Sequence, residues 1–120
     1  MAAEKNFENR VKDFLKEQGC WFLKTWSNGV QRSGVPDILA CYNGYFFGIE
    51  LKAPKGTPSD LQIYNLLQID KSGGYAILLY PKDFELFKSL MNDIASGDCN
   101  DGRYYHFFKL LQEWKERLEL

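Results

Sequence analysis

Residues 36–52 have the sequence PDILACYNGYFFGIELK, which predicts a β-hairpin. Residues 38–42 and 45–51 are rich in aromatic and aliphatic side chains, as β-strands usually are. Between them stands Asn43-Gly44, and Asn-Gly is strongly favoured in a two-residue hairpin turn. The predicted turn therefore determines which residues of the two strands face each other.

A two-residue turn pairs Tyr42 with Tyr45. Counting outward along both strands then pairs Asp37 with Glu50. Residues directly opposite on an antiparallel pair point to the same face, with Cβ atoms roughly 4.5–5.5 Å apart. Lys52 lies two residues beyond Glu50 and shares that face, because side chains alternate along a strand. We therefore expect Asp37, Glu50 and Lys52 to form one polar cluster at the end of the hairpin away from the turn.

This polar cluster is expected to lie in apolar surroundings. The other residues on its face are apolar or small: Leu39, Cys41, Phe46 and Gly48. Because the opposite face is apolar too, we expect the hairpin to lie inside a layered fold. Two opposed carboxylates repel each other, and burial raises the cost. Lys52 balances only one of them, so a divalent cation is the simpler way to offset the repulsion. The alternative is that Pro-Asp is ordinary turn chemistry and Glu-x-Lys an ordinary surface charge pair.

Periodicity and turn residues predict the other elements. Helices are expected at 6–18, 57–71, 83–95 and 104–119, and strands at 20–26 and 75–80. We expect Asn6 to cap the first helix. Thr57, Pro58 and Asp60 resemble a capping box for the second helix. The order α-β-β-β-α-β-α-α predicts an α/β fold in which helices flank a mixed sheet.

The composition limits the class of protein. With 120 residues, of which 45% are hydrophobic, the chain suits one folded domain. No apolar run reaches the roughly 20 residues that cross a membrane, and the charged start lacks the apolar stretch of a signal peptide, so we expect a cytoplasmic protein. Cys20, Cys41 and Cys99 are widely spaced and His106 is the only histidine, which disfavours a Cys/His zinc site. A bound metal would have oxygen ligands, which hard ions such as Mg²⁺ or Mn²⁺ prefer.

The sequence GVPD at 34–37, followed by ELK at 50–52, resembles the signature of the PD-(D/E)XK nuclease superfamily. The resemblance implies a restriction-endonuclease-like fold and hydrolysis of phosphodiester bonds. It implies that Asp37 and Glu50 bind the metal. It also implies that Lys52 orients or activates the attacking water and stabilises developing charge.

The resemblance extends over residues 4–80 and brings in two further side chains. Many members carry an acid on the first helix that reaches the metal, which implies Glu8; the alternative is a solvated glutamate favoured by the helix dipole. The sequence PSDLQ at 58–62 resembles the VRR-NUC-like branch and its archaeal Holliday-junction-resolvase relatives, where a glutamine assists the site. That implies Gln62; the alternative is a buried glutamine satisfied by the backbone.

We expect one nuclease domain over residues 1–120, with a catalytic core at 1–80 and C-terminal helices of unknown role at 81–120. The expected partner is DNA. The net charge is −1, but residues 1–62 contain eight basic and seven acidic residues, so a one-sided basic surface is compatible with the sequence. Candidate phosphate contacts lie near the same end of the sheet as the polar cluster: Lys24, Arg32, Ser33 and Lys55.

The favoured function is therefore a Mg²⁺-dependent deoxyribonuclease, of a kind that suits a phage or mobile element. One alternative is a structure-selective Holliday-junction-type resolvase acting as a homodimer, because a four-way junction presents two cuts. Another is a non-catalytic DNA-binding protein on a nuclease fold. A third is a structural protein with buried carboxylates and no nucleic-acid partner, which salt-dependent DNA binding would exclude.

Overall fold

The computed structural model of the chain describes residues 2–26, 33–97 and 102–120. The helices and strands are, in order, α1 (Ala2–Glu17), β1 (Trp21–Lys24), β2 (Ile38–Tyr42), β3 (Tyr45–Leu51), α2 (Asp60–Lys71), β4 (Tyr75–Leu79), a 3₁₀ turn (Pro81–Asp83), α3 (Phe84–Ala95) and α4 (Gly102–Arg117). This order confirms the predicted sequence of elements. In the part of the chain described, no helix is both long and apolar enough to cross a lipid bilayer.

The β2–β3 hairpin has the predicted register. Ile38 pairs with Ile49, one step along from the predicted pairing of Asp37 with Glu50. The two turn residues have φ angles of 51° and 85°, and a type I′ turn requires positive φ at both positions. The strand order is β1-β2-β3-β4, with β1 antiparallel to β2 and β4 parallel to β3. The result is a mixed, restriction-endonuclease-like sheet.

The two faces of the sheet support two hydrophobic layers. One layer packs α1 and α3 on the sheet through buried residues that include Val11, Ile49 and Phe87. The other layer packs α2 on β4. Helix α4 contributes to both, because Phe107 belongs to the first layer and Leu111 to the second. Strand β4 is buried along nearly its whole length, as its continuous apolar sequence predicts.

Three predicted helix starts were wrong. Helix α1 begins at Ala2, so Asn6 lies inside the helix and does not cap it. Helix α2 begins at Asp60 with Ser59 as its cap: Gln62 N donates to Ser59 Oγ (3.2 Å), and Ser59 N donates to Gln62 Oε1 (2.9 Å). This is a complete capping box, displaced from the predicted Thr57. Helix α4 begins at Gly102, two residues earlier than predicted.

The expectation that both faces of the hairpin are covered was wrong near the turn. On the α2 side, Gly48 lies directly under the helix, and a β-carbon added there would come 2.5 Å from Ile69 Cδ1. Nearer the turn, Phe46 is 45% exposed, Cys41 is exposed and Leu39 is half-buried. Helix α2 packs on β3 and β4 and leaves this part of β2 open.

The chain leading to Asp37 is held against α2 at Gly34. Gly34 has φ +80°, and a β-carbon there would lie 2.7 Å from the backbone carbon of Leu61. Gly19 also has positive φ (+72°), but an added β-carbon there has open space around it. We expect Gly19→Ala to cost roughly 1–2 kcal/mol in unfolding free energy from backbone strain alone. Gly34→Ala should cost roughly 1–3 kcal/mol more, because Leu61 must move.

Urea denaturation of the two alanine variants beside the wild type measures this difference. Equal losses at the two positions would contradict the close approach of Gly34 to Leu61.

Candidate active site

The backbone at Pro36 and Asp37 is fixed by hydrogen bonds from Thr25, which directly follows β1. Thr25 N donates to Asp37 O (2.8 Å), and Thr25 Oγ1 donates to Pro36 O (2.8 Å). The Asp37 carboxylate accepts a hydrogen bond at Oδ2 from Leu51 N (2.9 Å). The side chain is thereby directed across the hairpin toward the end of β3.

Glu50 and Lys52 lie beside each other on β3 and just beyond it. Glu50 is 2% exposed, and Lys52 Nζ lies 3.4 Å from Glu50 Oε2. The other carboxylate oxygen, Glu50 Oε1, is buried and has no hydrogen-bond partner among the described residues. Lys52 N donates to Leu79 O (3.0 Å), which extends the parallel pairing with β4 by one residue.

Gln62 completes the cluster from the first turn of α2. Lys52 Nζ donates to Gln62 Oε1 (2.9 Å), the same oxygen that accepts from Ser59 N in the capping box. The capping box therefore fixes the position of Gln62 Oε1, which accepts the hydrogen bond from Lys52 Nζ. The structure brings Asp37, Glu50, Lys52 and Gln62 together, as the sequence predicts.

The electrostatics of this cluster are dominated by Glu50. Burial, reinforced by the negative charge of Asp37, raises the pKa of Glu50 to about 8. Lys52 opposes this effect but does not cancel it.

Glu8 lies on α1 and is only 9% exposed. Its carboxylate is 3.2 Å from Lys5 Nζ, 3.1 Å from Lys12 Nζ and 3.8 Å from Lys24 Nζ. Burial alone would raise the pKa of Glu8, but the hydrogen bonds from Lys12 and Lys5 and the charge of Lys24 together lower it. Lys24 Nζ is also 3.7 Å from Asp37 Oδ1, so Glu8 is connected to the cluster through a lysine.

The donor set fits a hard divalent cation. It offers two carboxylates with mutual repulsion and a buried oxygen, Glu50 Oε1, without a partner. Over residues 2–26, 33–97 and 102–120 the structure contains no group of three or more Asp, Glu, His or Cys side chains arranged to hold a metal. Asp37 and Glu50 are therefore the principal candidates, and metal ligation by Glu8 stays a prediction.

The predicted phosphate contacts have different surroundings. Lys24 lies between two carboxylates, so its charge is already engaged. Ser33 is exposed, and its carbonyl accepts from Asn65 Nδ2 (3.3 Å). Lys55 is exposed in the loop after β3. Arg32 lies outside the described residues. Phosphate binding by these four residues stays a prediction.

Comparison with known proteins agrees with this geometry. A family model described as archaeal Holliday junction resolvase (Hjc) matches residues 2–79. The chain belongs to this family. The Hjc family indicates a nuclease that acts on DNA, and the match covers every element from α1 to β4. It ends before α3 and α4. No curated protein matches the chain. Membership of the VRR-NUC-like branch stays a prediction.

Sequence reasoning missed Thr25 and Lys12. Thr25 fixes the backbone of Asp37 only because β1 pairs with β2, and the long connection between these strands gives no register in the sequence. Lys12 follows Glu8 at the i,i+4 spacing that favours an ion pair. This spacing could have predicted from the sequence that Glu8 forms an ion pair within α1.

The raised pKa of Glu50 predicts an unusual pH dependence of stability in the absence of divalent cations. Between its ordinary value, near 4.5, and about 8, the folded state keeps a proton that the unfolded state has lost. The free energy of unfolding should therefore fall as pH rises through this window, by up to about 1.4 kcal/mol per pH unit from this group.

Urea denaturation at several pH values in EDTA measures this trend, and Glu50→Gln should flatten it. Glu4→Gln, at an exposed position on α1, is the matched control and should keep the wild-type trend. A Glu50→Gln profile parallel to that of the wild type would contradict the assignment.

Proposed function

We propose that the protein is a metal-dependent deoxyribonuclease whose active site consists of Asp37, Glu50, Lys52 and Gln62. The observation that carries the proposal is the buried carboxyl group of Glu50 beside that of Asp37, with an oxygen, Oε1, that accepts no hydrogen bond from the described residues. A protein that used this cluster only for stability would gain from replacing these charges with apolar side chains. The Hjc family match over residues 2–79 supports the same function.

Asp37 and Glu50 are the residues that would hold Mg²⁺ or Mn²⁺. Such an ion, when bound, polarises the scissile phosphate and lowers the pKa of a coordinated water. The contribution of the chain is geometric: the donor from Leu51 N and the tie to Thr25 fix the Asp37 carboxylate before any ligand arrives. Preorganisation of this kind avoids reorganisation during the reaction.

Lys52 supplies positive charge at the reacting phosphate. Its Nζ is held by Gln62 Oε1 and lies near Glu50 Oε2, with the side chain 15% exposed. A substrate phosphate entering the cluster would meet this ammonium group, which stabilises the negative charge that develops as water attacks. Gln62 acts as a positioning residue, because it reaches the substrate only through Lys52.

Glu8 and Lys24 form the outer support of the site. Lys24 lies between Glu8 and Asp37, so Glu8 keeps a positive charge beside the metal-binding carboxylate. In this arrangement Glu8 serves as a positioning residue for Asp37 even where it does not bind the ion itself.

A structure-selective resolvase is the second candidate, and an open part of the sheet favours it. Trp21 is 63% exposed, Leu23 41% and Phe46 45%. The strand register places Trp21 opposite Cys41, and Cys41 opposite Phe46, so these side chains share one face. An exposed apolar patch of this kind is typical of a protein interface. A two-fold dimer through it would supply the two active sites that a four-way junction needs.

Cleavage of a small DNA panel tests the proposed activity. Duplex, single-stranded, flap and four-way-junction substrates are incubated with Mg²⁺, Mn²⁺ or EDTA. We expect metal-dependent cutting that Lys52→Ala lowers roughly 100-fold or more. Lys71→Ala, at an exposed position at the end of α2, should cut like the wild type.

Activity that persists in EDTA would contradict the metal-dependent mechanism. DNA binding without any cutting would favour a binding protein on a nuclease fold. If the protein neither binds nor cuts any of these substrates, DNA is not its partner.

Sedimentation velocity tests the dimer. The wild type should sediment as a dimer, and the double variant Trp21→Lys/Leu23→Lys as a monomer, because two charges at an apolar interface cost several kcal/mol. Tyr105→Lys, at a 59% exposed aromatic position on α4, is the control and should remain dimeric. A wild type that stays monomeric while cutting junctions would contradict this assembly.

A further inference from the structure

A cleft of about 520 Å³ lies between the loop after β3 and helix α4. One wall is the loop that carries Lys55 and Gly56, and the other is the exposed side of α4. The floor includes Tyr80, at the end of β4. The cleft thus joins the catalytic strands to the part of the chain beyond residue 79, where the family match ends.

The cleft is rich in positive charge, although Arg117 also lies over the Trp114 ring, 4.5 Å from its centroid. Lys55, Lys82, Lys109 and Arg117 line it, and none of them forms an ion pair within the part of the chain that the structure describes. On the other side of the active site, by contrast, Lys5, Lys12 and Lys24 each form an ion pair with the single carboxylate of Glu8, and Lys24 also pairs with Asp37. Among the residues that the structure describes, the cleft therefore gathers four basic side chains that have no ion-pair partner.

Two acidic residues, Asp83 and Glu113, also line the cleft, but they are too few to cancel the charge of its four basic residues. Asp83 is buried, and its Oδ1 lies 3.2 Å from Nε2 of the exposed His106. Glu113 is exposed on α4. Four cations against two acids leave a positive balance in a concave site, where charge attracts an anion most effectively.

The cleft opens next to the catalytic lysine. A β-carbon added to Gly56, which lines the cleft, would lie 3.5 Å from Lys52 Cδ, so the aliphatic part of the lysine side chain lies close to the cleft wall. Tyr80 OH donates to Gly56 O (2.7 Å), which ties this loop to the end of β4. A chain of phosphates that passes Lys52 therefore has a fixed, positively charged continuation.

The spacing of the cations along α4 suits a nucleic-acid strand. Lys109 and Arg117 are eight residues apart and lie on one side of the helix, roughly 12 Å from each other along its axis. That distance is about the axial rise of three to four nucleotides of one strand. A single phosphate or carboxylate would engage only one end of such a row.

We propose that this cleft binds the sugar-phosphate backbone of the DNA substrate a few nucleotides from the scissile phosphate. The proposal rests on the proposed nuclease function for its substrate. It assigns α4 as a DNA-binding element, with Lys55, Lys82, Lys109 and Arg117 as phosphate contacts. These contacts position the strand and are independent of its sequence.

Salt-dependent DNA binding in EDTA tests the cleft without cleavage. Fluorescence anisotropy of labelled duplex and four-way junction is measured from roughly 50 to 200 mM salt. The variant Lys82→Ala/Lys109→Ala removes two exposed cations from the cleft. The control Lys71→Ala/Lys115→Ala also removes two exposed lysines, one on α2 and one on α4, but both lie outside the cleft.

We expect the cleft variant to bind more weakly and to lower the slope of log K against log salt by roughly 1.8, because each phosphate contact contributes about 0.9. The control should keep the wild-type slope, and both variants should keep the wild-type melting temperature. Equal slopes for the two variants would overturn the proposal, as would a wild type that binds no DNA.

The two proposals fail separately. A wild type that binds through the cleft but cuts no substrate would overturn the nuclease and leave the backbone contact standing. A wild type that cuts normally, with both double variants equal in binding and in KM, would overturn the cleft alone.

Discussion

The repulsion between the carboxylates of Asp37 and Glu50 is the constraint on which the rest of this structure depends. Both carboxyl groups are held in place: Asp37 by hydrogen bonds with Thr25 and Leu51, and Glu50 by its position in a strand paired on both sides. Burial makes the repulsion stronger than it would be in water. The surrounding groups, Lys52, Gln62 and the Lys24–Glu8 pair, lower the cost of this repulsion.

The central part of this arrangement was predictable because it is local. The Asn43-Gly44 turn sets the hairpin register, and the register alone places Asp37 opposite Glu50 with Lys52 on the same side. Gln62 was also predicted, and the structure explains its position: the capping box of α2 presents its side-chain oxygen to the lysine. The capping box of α2 and the hydrogen bond to Lys52 thus share one atom, Gln62 Oε1.

The features that the sequence did not reveal depend on contacts between distant segments. The tie from Thr25 requires β1 to pair with β2. The connection of Glu8 to Asp37 requires Lys24 on β1 to lie between α1 and the hairpin. The open sheet face follows from how far α2 extends across the strands, which no pattern within α2 encodes. In each case local propensity is satisfied by many arrangements, and only tertiary packing selects one.

Helix α4 has two roles on opposite sides. Its buried residues Phe107 and Leu111 fill one hydrophobic layer each, so the helix fastens the two layers to each other at the β4 edge. Its exposed side carries Lys109 and Arg117. The residues beyond the family match, which ends at residue 79, therefore contribute to the hydrophobic core. The inner side of α4 is constrained by packing in both hydrophobic layers, whereas residues on its exposed side, which carries the proposed phosphate contacts, can be substituted without repacking the core.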